Sequence, residues 1–160
     1  MAKILLIYQS KTGNTEKMAE AVEQGIKKEE VEVVRKKVAD VNVDDLLEPD
    51  GIIIGSPTYF GAPTAEIKRF VDESIKHYKK LEGKVGAAFS SSGDLGGGCE
   101  TTVLDLLRAF LVHGMIVPGF TSGGYYGPVS VGAPDNGQKD ICKAFGAKVV
   151  KVVKQLKVKG

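Results

Sequence analysis

The sequence predicts an α/β fold: a doubly wound sheet of five parallel strands in the order 2-1-3-4-5, with helices on both faces. Three observations point there. Short apolar runs alternate with longer amphipathic segments along all 160 residues. The runs ILLI, GIIIG and VGAAF are apolar at consecutive positions, as strands covered on both faces must be. And the loops rich in glycine and hydroxyl groups all follow predicted strands, whereas the loops that precede strands are merely charged.

Residues 3–9 form the first predicted strand. Residues 14–28 read as a helix, with Met18, Ala21, Val22, Gly25 and Ile26 recurring at helical spacing. Residues 31–38 alternate apolar and charged side chains, which suits a strand at a sheet edge. A short acidic segment, 40–49, leads to the third strand, 51–55. Residues 63–80 are a predicted helix with Ala65, Ile67, Phe70, Val71 and Ile75 inward. Residues 84–89 form the fourth strand, 99–112 a helix and 115–120 the fifth strand. A Gly/Pro-rich stretch, 122–137, precedes a last helix over 138–156, whose inner face is Ile141, Phe145, Val149, Val152 and Leu156. The result is five β-α units in one domain spanning residues 1–160, with no internal repeat.

Composition excludes several function classes. No apolar stretch reaches the roughly 20 residues that a membrane-spanning helix needs, and the N-terminus lacks the features of a signal peptide, so a cytoplasmic location and no membrane partner are expected. Cys99 and Cys142 are far apart and have no histidine at metal spacing, so neither a disulfide framework nor a metal site is expected. The net charge of +2 conceals an asymmetry. Lys139, Lys143, Lys148, Lys151, Lys154, Lys157 and Lys159 face Asp140 alone near the C-terminus, leaving 15 basic and 19 acidic residues elsewhere. A solvated helix face explains this, and a docking patch for an acidic partner is the alternative. Basic and aromatic residues do not interleave, so nucleic acid is not an expected partner.

In a doubly wound sheet, ligands bind at the carboxyl ends of the strands where strand order reverses, here between strands one and three. The loop after strand one is Ser10-Lys11-Thr12-Gly13-Asn14-Thr15. A helix N-terminus offers unpaired N–H groups and a partial positive charge, so these hydroxyls and the amide suggest a phosphate cradle. Helix capping by Asn14 or Thr15 is the competing explanation. GxxxxGK[ST] and GxGxxG are both absent, which favours a mononucleotide phosphate. The loop after strand three, Ser56-Pro57-Thr58-Tyr59-Phe60-Gly61, presents two aromatics suited to stacking on a flat ring. The loop after strand four, Ser90-Ser91-Ser92-Gly93-Asp94-Leu95-Gly96-Gly97-Gly98, lets peptide N–H groups approach the edge of a polar heterocycle. A phosphate, a flat ring and a hydrogen-bonding ring edge together describe FMN.

The stretches IYQSKTGNTEKMAEAV, GSPTYFGAPTAEIKRFVD, AAFSSSGDLGGGCETT and HGMIVPG resemble the flavodoxin fold family. They are most similar to the Trp-repressor-binding-protein family of FMN-dependent NAD(P)H:quinone oxidoreductases. By that resemblance the phosphate binds at residues 10–15. Thr58, Tyr59 and Phe60 border the isoalloxazine, 91–97 hold its pyrimidine edge, and His113 lies near the flavin as a catalytic candidate. Read from the residues alone, His113 ends a helix, where an imidazole is favoured for structural reasons. The chain departs from that family in four ways. Residues 38–50 are too short for its insertion, the loop after the 63–80 helix is brief, tryptophan is absent, and Thr12 stands where the family has a nicotinamide-contacting tyrosine.

The expected function is therefore electron transfer through FMN to a redox partner protein. An FMN-dependent NAD(P)H:quinone oxidoreductase acting on a small quinone is the alternative, and oligomeric state is open between monomer and dimer. Gly61 is expected to let the Phe60–Gly61 peptide rotate, so that its carbonyl can accept a proton from the reduced ring.

Overall fold

The computed structural model describes residues 1–158. Its parallel sheet is built from β1 (Lys3–Tyr8), β2 (Glu32–Lys37), β3 (Gly51–Tyr59), β5 (Val85–Ser92) and β6 (Val129–Val131), in the order β2-β1-β3-β5-β6. That is the expected 2-1-3-4-5 winding. A two-residue strand, β4 (Ala62–Pro63), pairs antiparallel with the end of β3. The helices are α1 (Asn14–Lys27), α2 (Ala65–Glu73), α3 (Cys99–Val112) and α4 (Asn136–Val158).

Successive strand side chains point to opposite faces, and here both faces are buried. Ile4, Leu6 and Tyr8 of β1 pack with Met18, Val22 and Ile26 of α1 and with Phe145, Val149 and Val153 of α4. Leu5 and Ile7 pack on the other side with Ile67 and Phe70 of α2 and Val103, Leu106 and Phe110 of α3. This two-sided burial is why β1, β3 and β5 carry unbroken apolar runs. β2 is paired with β1 alone, and its side chains are only partly buried, as its alternating charges suggest.

The short acidic segment of the β2–β3 crossover forms two 3₁₀ turns, Val38–Asp40 and Val43–Leu46, which cover the sheet. Asn42 caps the second turn, accepting from Asp44 N at 2.9 Å, while the Asp45 carboxylate accepts from Asn42 N at 3.2 Å. The helix expected over 63–80 stops as α at Glu73 and tightens to 3₁₀ over Ser74–His77. The fifth strand is not 115–120. Ile116 makes a single bridge to Val85, donating to Lys84 O at 2.8 Å and accepting from Gly86 N at 2.9 Å. Pro118 lacks the N–H a ladder needs. The chain then loops outward and returns as Val129–Val131 beside Ser90–Ser92.

Several C-terminal lysines have partners within the chain. Lys143 pairs with Asp140 at 3.0 Å and Lys157 with Asp50 at 2.9 Å, and Lys154 donates to the Glu29 carbonyl. These contacts support the solvated-face reading of that charge. Lys159 lies outside the described residues.

Candidate functional site

The carboxyl ends of β1, β3 and β5 open onto a cleft of about 290 Å³. Ser10, Lys11, Thr12, Asn14 and Thr15 line one wall, Pro57, Thr58 and Tyr59 another, and Ser91, Ser92 and Gly93 the third. The three loops that sequence pattern set on one rim thus meet there.

The first loop turns into α1 at Gly13, whose φ of +96° glycine adopts without strain. Neither Asn14 nor Thr15 caps the helix. The Ser10 hydroxyl accepts from Gly13 N at 3.1 Å and from Glu16 N at 3.3 Å. The Thr15 hydroxyl is bound to Ser91 Oγ at 2.8 Å in a buried contact joining the first loop to the third. The N–H groups of Asn14 and Thr15, and the side chains of Thr12 and Asn14, have no protein partner among the described residues. Unpaired donors on the positive end of a helix dipole are what an anion needs. Lys11, the one charged side chain in the loop, is exposed.

The second loop is a tight hairpin. Tyr59 pairs with Ala62, so Phe60 and Gly61 are its two turn residues, with φ of +50° and +75°. Tyr59 is partly exposed, and the Phe60 side chain is wholly in solvent. In the third loop Ser92 Oγ donates to Asp94 O at 2.8 Å and Gly97 N to the same carbonyl at 3.1 Å. Gly96 has φ +74°. Gly13, Phe60, Gly61, Asp94, Gly96 and Gly97 do not line the cleft; they stand in the same three loops beyond its walls.

Sequence pattern missed the layer beneath. Thr58 Oγ1 donates to Thr102 Oγ1 at 2.9 Å and lies 2.9 Å from Ser90 Oγ, which donates to Ser56 O at 2.8 Å. Thr101 Oγ1 lies 2.9 Å from Gly61 O and 2.8 Å from Gly98 O. These contacts fasten β3, β5 and the first turn of α3 together. The adjacent threonines after GGGC were the available signal.

His113 does not join the site. It ends α3, and 14 residues at ~1.5 Å each place it roughly 20 Å from the helix start at the rim. Its Nε2 lies 2.8 Å from Ser74 Oγ, whose own proton goes to Val71 O at 2.6 Å, so Nε2 carries the imidazole proton and donates. Nδ1 is buried without a partner. Burial, followed by the nearby His77, holds the His113 pKa below its ordinary 6.5. The unfolded chain therefore takes up this proton first, and stability falls as pH drops through 6.5 toward the folded value. We expect the urea midpoint to fall from pH 7 to pH 5, and His113→Gln to flatten that slope.

The sequence profile of the family described as Flavodoxin matches residues 6–107. The chain belongs to the flavodoxin family. It is 36% identical to a protein named Flavodoxin from Aquifex aeolicus, over 96% of this chain and 88% of that one. A protein named NAD(P)H dehydrogenase (quinone) from Archaeoglobus fulgidus is 34% identical over an alignment of 190 residues, covering 98% of this chain and all of that one. The crystal structure of a flavodoxin, WrbA-like protein from Agrobacterium tumefaciens superposes with a TM-score of 0.83 at 30% identity, over 97% of this chain and 99% of that one. Flavodoxins are FMN-binding redox proteins. The donor set here fits that cofactor: neutral donors at a helix N-terminus for a phosphate, the Tyr59 side chain at the cleft wall for a ring, and a loop of small residues for its edge. No described helix is long and apolar enough to cross a membrane.

Proposed function

We propose that this flavodoxin is an electron carrier holding FMN in the rim cleft, with electrons entering and leaving through a redox partner. Ser10, Lys11, Thr12, Gly13, Asn14 and Thr15 hold the phosphate. Pro57, Thr58, Tyr59, Phe60 and Gly61 border the isoalloxazine. Ser91, Ser92, Gly93, Asp94, Gly96 and Gly97 receive its pyrimidine edge. FMN supplies one- and two-electron redox chemistry when bound; the chain supplies position and electrostatics. Its phosphate loop offers mostly neutral donors, with Lys11 its one charged side chain, so the α1 dipole and Lys11 compensate the phosphate only in part and the remaining charge opposes further negative charge nearby.

The observation carrying the reading is the convergence of unpaired α1 donors, aromatic hairpin and small-residue loop on one cleft. The open margin favours a carrier. Phe60 and Leu95 stand in solvent, and the β2–β3 crossover is two 3₁₀ turns on the sheet instead of an inserted lid. The Archaeoglobus alignment spans more positions than this chain has residues, so that relative carries segments without counterpart here.

Its name nevertheless supports a second reading, an FMN-dependent NAD(P)H:quinone oxidoreductase acting on a small quinone. Stopped-flow mixing of the FMN-loaded protein with NADH or NADPH separates the two. A carrier keeps its flavin absorbance over seconds, with two resolved one-electron steps in a redox titration. Rapid bleaching followed by reoxidation with a quinone would establish the enzyme and overturn the carrier.

A further inference from the structure

After Ile116 the chain leaves the sheet, and it returns at Val129. Phe120 N donates to Tyr125 O at 3.2 Å, closing a loop whose tip is residues 121–124. Both ends of this loop are fixed. A Cβ on Gly123, at φ +73°, would stand 2.8 Å from the Ile141 side chain, so the tip is pressed on α4. A Cβ on Gly127 would stand 1.9 Å from Ala88 O, so the base is pressed on β5.

Between loop and helix lies a pocket of about 280 Å³. Phe120, Pro128 and the tip form one wall; Ile141, Ala144, Phe145 and Lys148 of α4 form the other. None of these residues lines the rim cleft. The Phe120 and Phe145 rings stand 4.9 Å apart between centroids, so the two walls meet through aromatic contact.

Charge and shape together say what the pocket takes. Half-buried Lys148 is the only charged side chain in its walls. On the same helix Lys143, Lys151 and Lys157 have carboxylates at 3.0, 3.9 and 2.9 Å. Lys148 has none among the described residues; its Nζ lies 5.2 Å from the centre of the Phe120 ring. A ring face is a weak partner for an ammonium and leaves it able to take an anion. The N–H groups of Thr121, Ser122, Gly123 and Gly124 have no protein acceptor among the described residues either. Both walls therefore carry donors, and neither carries an acid. An inorganic anion would meet Lys148 but leave the aromatic wall wet. A neutral ring would cover that wall but strip water from the ammonium without replacing it. An apolar cavity of roughly 150 Å³ accepts benzene, so this one has room for a ring with a charged group attached.

We propose that this pocket is a second ligand site, selective for a small aromatic monocarboxylate. The ring packs on Phe120, Phe145 and Ile141, and the carboxylate meets Lys148 and the amides of the tip. The occupant ties the loop to α4. The site stands apart from the flavin and does not depend on where FMN binds.

The test titrates the full-length FMN-loaded protein at pH 7 with benzoate, benzamide and acetate, read by backbone amide chemical shifts. Benzamide keeps the ring and loses the charge; acetate keeps the charge and loses the ring. We expect saturable benzoate shifts at residues 121–124 and 144–148, with benzamide and acetate at least ~10-fold weaker. Lys148→Met keeps an unbranched stem beside Phe120, removes the ammonium and brings benzoate to the level of benzamide. Ala144→Leu, at an exposed helix position, fills the pocket with Lys148 intact and weakens benzoate at least ~10-fold. FMN affinity stays within about twofold of native in both variants. Benzamide or acetate binding as tightly as benzoate overturns the proposal, because one wall then plays no part. Native benzoate affinity in either variant overturns it by placing the ligand elsewhere. So do shifts that never saturate, or that fall on residues 10–15 instead of the loop.

Discussion

Gly25→Ala lowers the stability of the chain by roughly 3 kcal/mol, the upper end of ordinary overpacking, read as a fall in urea midpoint at unchanged m-value. Helices α1 and α4 cross here at backbone contact. A Cβ on Gly25 would stand 1.9 Å from the Lys143 carbonyl oxygen and 2.7 Å from Lys143 Cα. The reciprocal contact is Gly146, whose Cβ would stand 2.3 Å from the Val22 carbonyl oxygen. No side chain can rotate away, because the obstructing atoms are main chain. The helices must separate, and separation loosens Val22, Ile26 and Val149 from the sheet. Since one displacement makes room for both methyl groups, Gly25→Ala/Gly146→Ala costs less than the sum of the single variants. Strict additivity would show that the two contacts are relieved independently.

The same crossing shows what the sequence could and could not disclose. Met18, Val22 and Ile26 announced the buried face of α1 through spacing alone, and Gly25 fell on that face. Spacing cannot say why the residue is glycine; the reason lies 118 residues further along the chain, in α4. The central strands were legible because burial on both faces demands unbroken apolar runs. The edge was not. Met115–Phe120 is apolar enough for a strand, yet Pro118 ends its pairing, and the three-residue Val129–Val131 is too short to carry a period. The β2–β3 crossover was legible only as a short acidic segment, because a sheet face can be covered by two 3₁₀ turns holding Val38 and Leu46, which need no helical repeat.

At the site, the loops were legible because they break composition rules where a doubly wound sheet puts its ligand. The supporting hydroxyl layer was not, since Ser56 and Ser90 read as loop residues and Thr102 as an ordinary helix residue until β3 and β5 lie side by side. His113 misled because a motif-level likeness gives no position. A helix that starts at the rim must carry its last residue to the other end of the sheet. The sign of φ at Phe60 was equally invisible, since phenylalanine does not advertise the left-handed region.

The phosphate assignment predicts a selective loss. Thr12→Ala combined with Asn14→Ala weakens FMN binding at least ~100-fold, because each hydrogen bond to a charged group is worth ~1.5–3 kcal/mol and ~1.4 kcal/mol is tenfold in affinity. Both side chains line the cleft, and neither has a protein partner among the described residues, so truncating them leaves the fold's own hydrogen bonds intact. Ser10 and Thr15 are poorer choices. The first supports two backbone amides and the second ties the loop to Ser91, so their removal mixes binding with loop geometry. Riboflavin, which lacks the phosphate, supplies the discriminating arm. Its affinity in the double variant should stay within about threefold of native, ~0.6 kcal/mol on the same scale. Equal losses for FMN and riboflavin, followed by quenching of flavin fluorescence, would place these residues against the ring or show a collapsed loop, and the phosphate assignment would fall. Loss confined to FMN leaves the dipole and amides of α1 with two unpartnered side-chain donors removed, and locates the phosphate at the turn where β1 becomes α1.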